Sequence, residues 1–309
     1  MTKVFIDGKA GTTGLKIYDR LKNRKDVELL TLNDEERKDI SARKKMLNSC
    51  DVAFLCLPDD ASRESVSLID NQDVIVIDTS TAHRTNPSWA YGFPELSKKF
   101  QSKIKNSKRI AVPGCHASGF IALIYPLINE KIISKKSLLT CFSITGFSGG
   151  GKKMIAEYED TLNSIYASPR VYGLSQNHKH LKEMVAITGL ENAPIFSPVV
   201  SNFYSGMLVN VPLFKSMLKK NKTINDVKAV YKKYYKGDFV KFIDDMDQNG
   251  FIESNTLSNF DGMQIAVYGN EDRITLFARY DNLGKGASGA AIECFNVVTK
   301  KDKKKGLNI

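Results

Sequence analysis

Residues 3–21 read Lys3-Val-Phe-Ile-Asp7-Gly8-Lys-Ala-Gly11-Thr-Thr-Gly14-Leu-Lys-Ile-Tyr18-Asp-Arg-Leu21. A short β-prone run ends in glycines spaced three and three, and a helical stretch follows with Leu15, Tyr18 and Leu21 in phase. Between a strand and a helix, such glycines permit a tight turn and close approach of the backbone to a pyrophosphate. Free N–H groups at the helix start add donors and partial positive charge. The spacing is G-x-x-G-x-x-G rather than G-x-G-x-x-G. Gly8, Gly11 and Gly14 therefore suit either a variant dinucleotide loop or a glycine-rich turn without a ligand. Further apolar runs follow at Val27–Leu32, Val52–Leu57 (halted by Pro58), Val74–Asp78 and Ile110–Pro113. They are continuous rather than alternating, the pattern of strands buried on both faces of a parallel sheet. With helical stretches between several of them, the first ~115 residues read as a doubly wound α/β unit. After the second run, Asp34 suits the ribose hydroxyls of NAD, while Arg37 or Lys38 suits a 2′-phosphate; both readings stay open.

The pattern then changes. Ser118–Asn129 reads as a helix, Leu138–Thr145 as a strand and Lys152–Ile165 as a helix. Ile195–Leu213, broken by Pro198 and Gly206, predicts longer strands of an antiparallel sheet, and Thr223–Tyr235 another helix. Gln264–Tyr268 and Ile274–Tyr280 form a hairpin over Gly269-Asn270, and Ala287–Val298 is a closing helix. Two domains are expected: residues 1–115 with 285–309, and an α+β insert of residues 116–284.

Composition narrows the class. With 42% hydrophobic and 26% charged residues in 309, collagen-like and largely disordered chains are excluded. No apolar run reaches the ~18–20 residues of a membrane span, and the amino terminus lacks the apolar stretch of a signal peptide, so a cytoplasmic protein is expected. Five cysteines, an odd number without a Cys-x-x-Cys pair, argue against a disulfide framework or a metal site. The net charge is +11, and residues 300–305 supply a net +4 through five lysines against Asp302. Such a field draws in anions. No helix-turn-helix, zinc-finger or RNP pattern points to nucleic acid, so the excess otherwise reads as a solvated surface and tail.

Pro113-Gly-Cys115-His-Ala-Ser-Gly119 places a thiol between a strand and an apolar helix. The helix dipole there stabilises a thiolate, and the flanking small residues leave room for a carbonyl carbon. Cys115 thus reads as a nucleophile, whereas Cys56, Cys141 and Cys294 read as core residues.

With these residues the chain resembles the N-acetyl-gamma-glutamyl-phosphate reductases of arginine biosynthesis, in their shorter form. The resemblance runs through GKAGTTG at 8–14, DTSTAHRT at 78–85, WAYGFPEL at 89–96, PGCHASG at 113–119, TGFSGGGK at 145–152, NHKH at 177–180 and DNLGKGASGAA at 281–291. One departure is Leu181-Lys182 where a proline is expected before Glu183. The resemblance implies a Rossmann domain that binds NADP(H), a catalytic α+β domain, and reduction of the acyl phosphate to the semialdehyde with release of phosphate. It makes Cys115 the nucleophile, puts Thr12, Thr13, Ser80, Asn282, Gly284 and Lys285 beside the cofactor with the glycine loop, and implies a homo-oligomer, dimer or tetramer.

The chemistry suits these residues. A thiolate displaces phosphate readily, the thioester accepts hydride, and collapse of the hemithioacetal frees the aldehyde. Of four histidines, His178 and His180 lie two apart and share a face if the segment is extended. His180 reads as acid/base and His178 as its orienter or a substrate contact. His116 is expected to point elsewhere, and His83 to be structural or substrate-positioning. Ser148, Gly149, Gly150 and Lys152, between a strand and a helix, suit an anion cradle, with Arg84 and Arg170 in reserve. Gly146-x4-Gly151-Lys152 also matches seven positions of a P-loop, but Lys153 stands where magnesium needs Ser or Thr. A nucleotide-binding protein, an aspartate-semialdehyde dehydrogenase and a nucleic-acid binder are the alternatives.

Overall fold

A computed structural model describes residues 1–33, 35–160 and 164–309. Asp34, weighed above as a ribose contact, lies outside them, as do residues 161–163 of the expected helix Lys152–Ile165. The chain divides into two compact units: Met1–Pro94 with Lys98–Gly114 and Ala287–Leu307, and Glu95–Ser97 with Cys115–Gly286 and Asn308–Ile309. Among the described residues no helix is long and apolar enough to cross a membrane.

The first unit runs β1 (Thr2–Asp7), α1 (Thr12–Leu21), β2 (Val27–Leu30), α2 (Ile40–Ser49), β3 (Val52–Leu55), α3 (Asp59–Ser67), β4 (Ile75–Asp78), β5 (Ala90–Tyr91), α4 (Lys98–Lys105) and β6 (Arg109–Ala111). Its six strands form a parallel sheet in the order β2-β1-β3-β4-β6-β5. Every residue of β3 is buried, as its unbroken apolar run predicts. Strands β3 and β6 end before their apolar runs do, because Leu57 and Pro113 belong to the loops at the strand ends, where function is carried. The expected face of α1 is corrected. Gly14, Ile17 and Leu21 are buried, whereas Leu15 is exposed and, with Tyr18, walls a cleft.

The second unit runs α5 (Cys115–Asn129), β7 (Thr140–Gly146), α6 (Gly151–Glu159), β8 (Arg170–Val171), α7 (His180–Thr188), β9 (Ile195–Ser201), β10 (Met207–Phe214), α8 (Ile224–Tyr234), β11 (Val240–Phe242), β12 (Met263–Gly269) and β13 (Arg273–Tyr280). The closing helix α9 (Gly289–Val298) belongs to the first unit, where Ile292 and Phe295 pack with Ile17 and Phe54. The second sheet, ordered β11-β12-β13-β10-β7-β9-β8, is mixed rather than antiparallel, since β7–β9 and β11–β12 pair in parallel. The β7–β9 connection contains α7, the long crossover that parallel pairing requires. Pro198 lies inside β9 and does not break it. Its carbonyl accepts from Tyr172 N–H just past the two-residue β8, so its missing N–H falls where that short edge strand has already ended. The lysine tail is anchored through its backbone: Asn296 donates to the carbonyls of Lys303 and Lys305, and Arg24 to that of Lys305.

Candidate active site

In the first unit the glycine loop is built for close approach. Gly8 has φ +84°, and a Cβ there would collide with the Cys56 carbonyl oxygen; one at Gly14 would lie 2.5 Å from that of Gly8. Gly11 N–H donates to Gly8 O at 3.0 Å, closing the turn. No side chain caps α1 at Gly11, and the buried Oγ1 of Thr12 has no partner among the described residues. These donors suit a pyrophosphate. Thr13 follows in the same uncapped turn. Next to the loop lies a cleft of about 600 Å³ lined by Lys9, Leu15, Tyr18, Leu32, Arg37 and Lys38, among others. Beneath it, the Asp7 carboxylate accepts from Arg43 and Ser65, a buried support that no sequence motif marks.

The other residues singled out in this unit make contacts within it. Ser80 donates to Asp78 at 2.7 Å and accepts from Ala82 N–H. His83 sits 2.7 Å from the same carboxylate and stacks on Trp89. Arg84 is buried and donates to the carbonyls of Val112 and Thr79, both at 2.8 Å.

In the second unit Cys115 is the first residue of α5 and only half-buried. The Tyr280 hydroxyl donates to its carbonyl at 2.5 Å and accepts from Gly119 N–H at 3.0 Å, pinning the first turn. A Cβ on Gly286 would stand 3.2 Å from that of Cys115, so glycine there lets the chain pass close against the first turn of α5. The other cysteines differ. Burial pushes Cys50 and Cys56 up to about 12 and Cys141 higher still, which keeps their thiols protonated and inert.

Around this turn gather three histidines rather than two. The rings of His178 and His180 are 4.7 Å apart, and that of His116 lies 6.0 and 5.8 Å from them. The pair is joined by the turn into α7, where Lys179 is already helical, and not by an extended segment. His178 Nδ1 accepts the backbone N–H of His180 at 3.2 Å, and burial, with Lys179 adjacent, lowers its pKa. Phe196 packs against both His178 and His116, and its backbone is gripped at both N–H and C=O by the Gln176 amide. His116 does not point away; it sits between Ser143 and Tyr172, each at 2.7 Å. Neither hydroxyl is marked by any sequence motif, since both depend on partners 27 and 56 residues distant.

The glycine loop after β7 opens α6, which has no acidic residue in its first turn and no side-chain cap. Lys152 is exposed there, with Gly149 and Gly150 preceding it. Ser148 is buried and accepts at 3.0 Å from Asn282, whose oxygen takes Gly206 N–H. The Asn282 amide thus braces this loop. Gly284 is required by packing, as a Cβ there would collide with the Phe260 carbonyl oxygen. The Lys285 ammonium is buried on Glu95 at 2.7 Å and lies over the Phe239 ring, a pairing across 190 residues that local sequence cannot reveal. Arg170 donates to the Tyr158 hydroxyl and stacks against Tyr158 and Tyr166. Among the described residues no group of three acidic, histidine or cysteine side chains is placed to hold a metal.

Comparison with known proteins agrees with this layout. Residues 3–106 match the semialdehyde dehydrogenase NAD binding domain and residues 115–282 the semialdehyde dehydrogenase dimerisation domain. N-acetyl-gamma-glutamyl-phosphate reductase 2 of Nostoc sp. (strain PCC 7120) is 41% identical over 309 residues, covering 96% of each chain. The N-acetyl-gamma-glutamyl-phosphate reductase of Rhizobium meliloti (strain 1021) is 43% identical over 299 residues, covering 94% of this chain and 96% of its own. Among solved structures, aspartate semialdehyde dehydrogenase II of Vibrio cholerae superposes with a TM-score of 0.73 at 16% identity, over 97% and 98% of the two chains. Aspartate semialdehyde dehydrogenase of Candida albicans, solved with NADP, gives 0.69 at 14% identity, over the same shares. At such identities these last two establish the fold alone. A nicotinamide dinucleotide is the cofactor class that follows from the matched domain and the loop.

Proposed function

Since the chain belongs to the N-acetyl-gamma-glutamyl-phosphate reductases of the semialdehyde dehydrogenase family, we propose that it reduces N-acetyl-L-glutamyl 5-phosphate to N-acetyl-L-glutamate 5-semialdehyde in arginine biosynthesis, releasing phosphate through a Cys115 thioester. The observation that carries this reading is Cys115 itself, half-buried at the first turn of α5.

The dinucleotide, when bound, supplies the hydride. The glycine loop and the amino end of α1 hold its pyrophosphate, with Thr12 Oγ1 as a further donor. Arg37 and Lys38, on the cleft wall, meet a 2′-phosphate and favour NADP. Cys115 attacks the acyl carbon; its sulfur–carbon bond forms as the carbon–oxygen bond to phosphate breaks, and phosphate leaves with the electron pair. The N–H groups opening α6, with Lys152, receive the anionic substrate. His180 gives a proton to the oxygen of the reduced thioester and removes it again as the carbon–sulfur bond breaks to release aldehyde.

The test is phosphate-dependent reduction of NADP by N-acetyl-glutamate semialdehyde, run beside aspartate semialdehyde. Turnover of the acetylated substrate is expected; turnover of aspartate semialdehyde alone would favour the related dehydrogenase instead. Arg37→Ala is expected to raise KM for NADP by ~10-fold and leave that for NAD unchanged, a loss of about 1.4 kcal/mol in binding. Equal effects on both dinucleotides would remove Arg37 from the 2′-phosphate.

The outer face of the second sheet supports a homo-oligomer. Phe142, Pro212 and Phe214 are exposed on neighbouring strands β7 and β10, and Phe277 is half-exposed on β13. A sheet face this apolar calls for a partner. Phe142→Asp is expected to shift sedimentation toward the monomer; an unchanged sedimentation coefficient would move the interface elsewhere.

A further inference from the structure

The histidine cluster holds two hydroxyl groups that the mechanism above leaves unused. Ser143 is fully buried within β7, and among the described residues its hydroxyl meets one polar group, His116 Nδ1 at 2.7 Å. The Tyr172 hydroxyl likewise meets one, His116 Nε2 at 2.7 Å. Burial, with His178 beside it, pushes His116 down to about 3, so the ring is neutral and carries a single N–H.

Two tautomers are open to that ring. With the proton on Nδ1 it donates to Ser143, whose own O–H then has no acceptor in a dry interior. With the proton on Nε2, Ser143 donates to Nδ1 and the ring donates to the Tyr172 oxygen. Each state leaves one hydroxyl proton over, that of the fully buried Ser143 in the first and that of the only partly buried Tyr172 in the second, and the second is the cheaper deficit. It also orients Tyr172: since its oxygen accepts from His116, its own proton is left for another acceptor. Burial first, and the Cys115 charge second, raise the Tyr172 pKa, so the phenol stays protonated and lies within the field of the sulfur. Tyr280, the other phenol near that sulfur, is already committed to the Cys115 carbonyl.

We propose that Tyr172 donates a hydrogen bond to the acyl oxygen of the group carried on Cys115, and that Ser143 and His116 are positioning residues that hold it in the donating state. The proposal rests on the thioester reading. A donor to that oxygen strengthens as negative charge develops there, so it acts on kcat rather than on substrate binding.

The experiment measures kcat and KM in the phosphate-dependent assay for the parent, Tyr172→Phe, His116→Asn, His116→Gln and the double variant Tyr172→Phe/His116→Asn. Tyr172→Phe is expected to lower kcat ~10²-fold with KM little changed. Gln keeps an N–H where Nε2 stood, and Asn does not. His116→Gln is therefore expected to retain more activity than His116→Asn, and the double variant to fall no further than Tyr172→Phe alone. Parent-like turnover by Tyr172→Phe, or losses that multiply in the double variant, would overturn the relay. A parent without phosphate-dependent turnover would instead overturn the thioester reading, and with it the oxygen that Tyr172 is to meet.

Discussion

Cys115→Ser is expected to lose at least ~10⁴-fold in phosphate-dependent NADP reduction, while dinucleotide binding to the first unit stays within about twofold of the parent. Serine preserves the first turn of α5, because what Tyr280 holds there is the backbone carbonyl and not the side chain. It removes the sulfur. An alkoxide is not accessible near neutral pH, and the neutral hydroxyl is a poor nucleophile without a paired base. No other cysteine takes over: Cys50, Cys56 and Cys141 are held protonated by burial, and Cys294 is buried in the first unit. A variant that kept more than a tenth of parental turnover would remove Cys115 from the nucleophile's place.

His180→Asn is expected to slow turnover by ~10²–10⁴. The two neighbouring histidines are already occupied. His178 Nδ1 caps the first turn of α7 through the His180 N–H, so protonation at that nitrogen would forfeit the cap. Burial lowers its pKa, as does Lys179. His116 stays neutral and enclosed by Ser143 and Tyr172. His180, the first residue of α7, is the residue to which the proposed mechanism gives the proton. Should His178→Asn be the slow variant and His180→Asn turn over normally, the two roles exchange.

The first unit is the more legible in sequence because its strands are buried on both faces. A run such as Val52–Leu55 has no alternation to mislead, and glycines at 8, 11 and 14 directly after a strand mark a turn where backbone must approach backbone or ligand closely. The face of α1 is less legible. Leu15 looks like core by periodicity, whereas the small Gly14 lets the helix pack closely and leaves Leu15 to wall the cleft. In the second unit apolar runs mark the strands but not their direction, which depends on the crossover through α7. Cys115 and the pair His178 and His180 stand out because local chemistry marks them. Tyr172, Ser143 and Glu95 do not, since each acquires its meaning from a partner far along the chain. Lys285 and Asn282 likewise hold partners that local sequence does not show, the Glu95 carboxylate and the loop after β7.

One sulfur must become transiently esterified for the thioester route to hold. Protein mixed with the acyl phosphate in the absence of reductant, quenched in acid and digested, is expected to carry the N-acetyl-glutamyl mass on the peptide containing Cys115, and to lose it in Cys115→Ser. An unmodified peptide under conditions where phosphate has been released, or the added mass on any other residue, would contradict it.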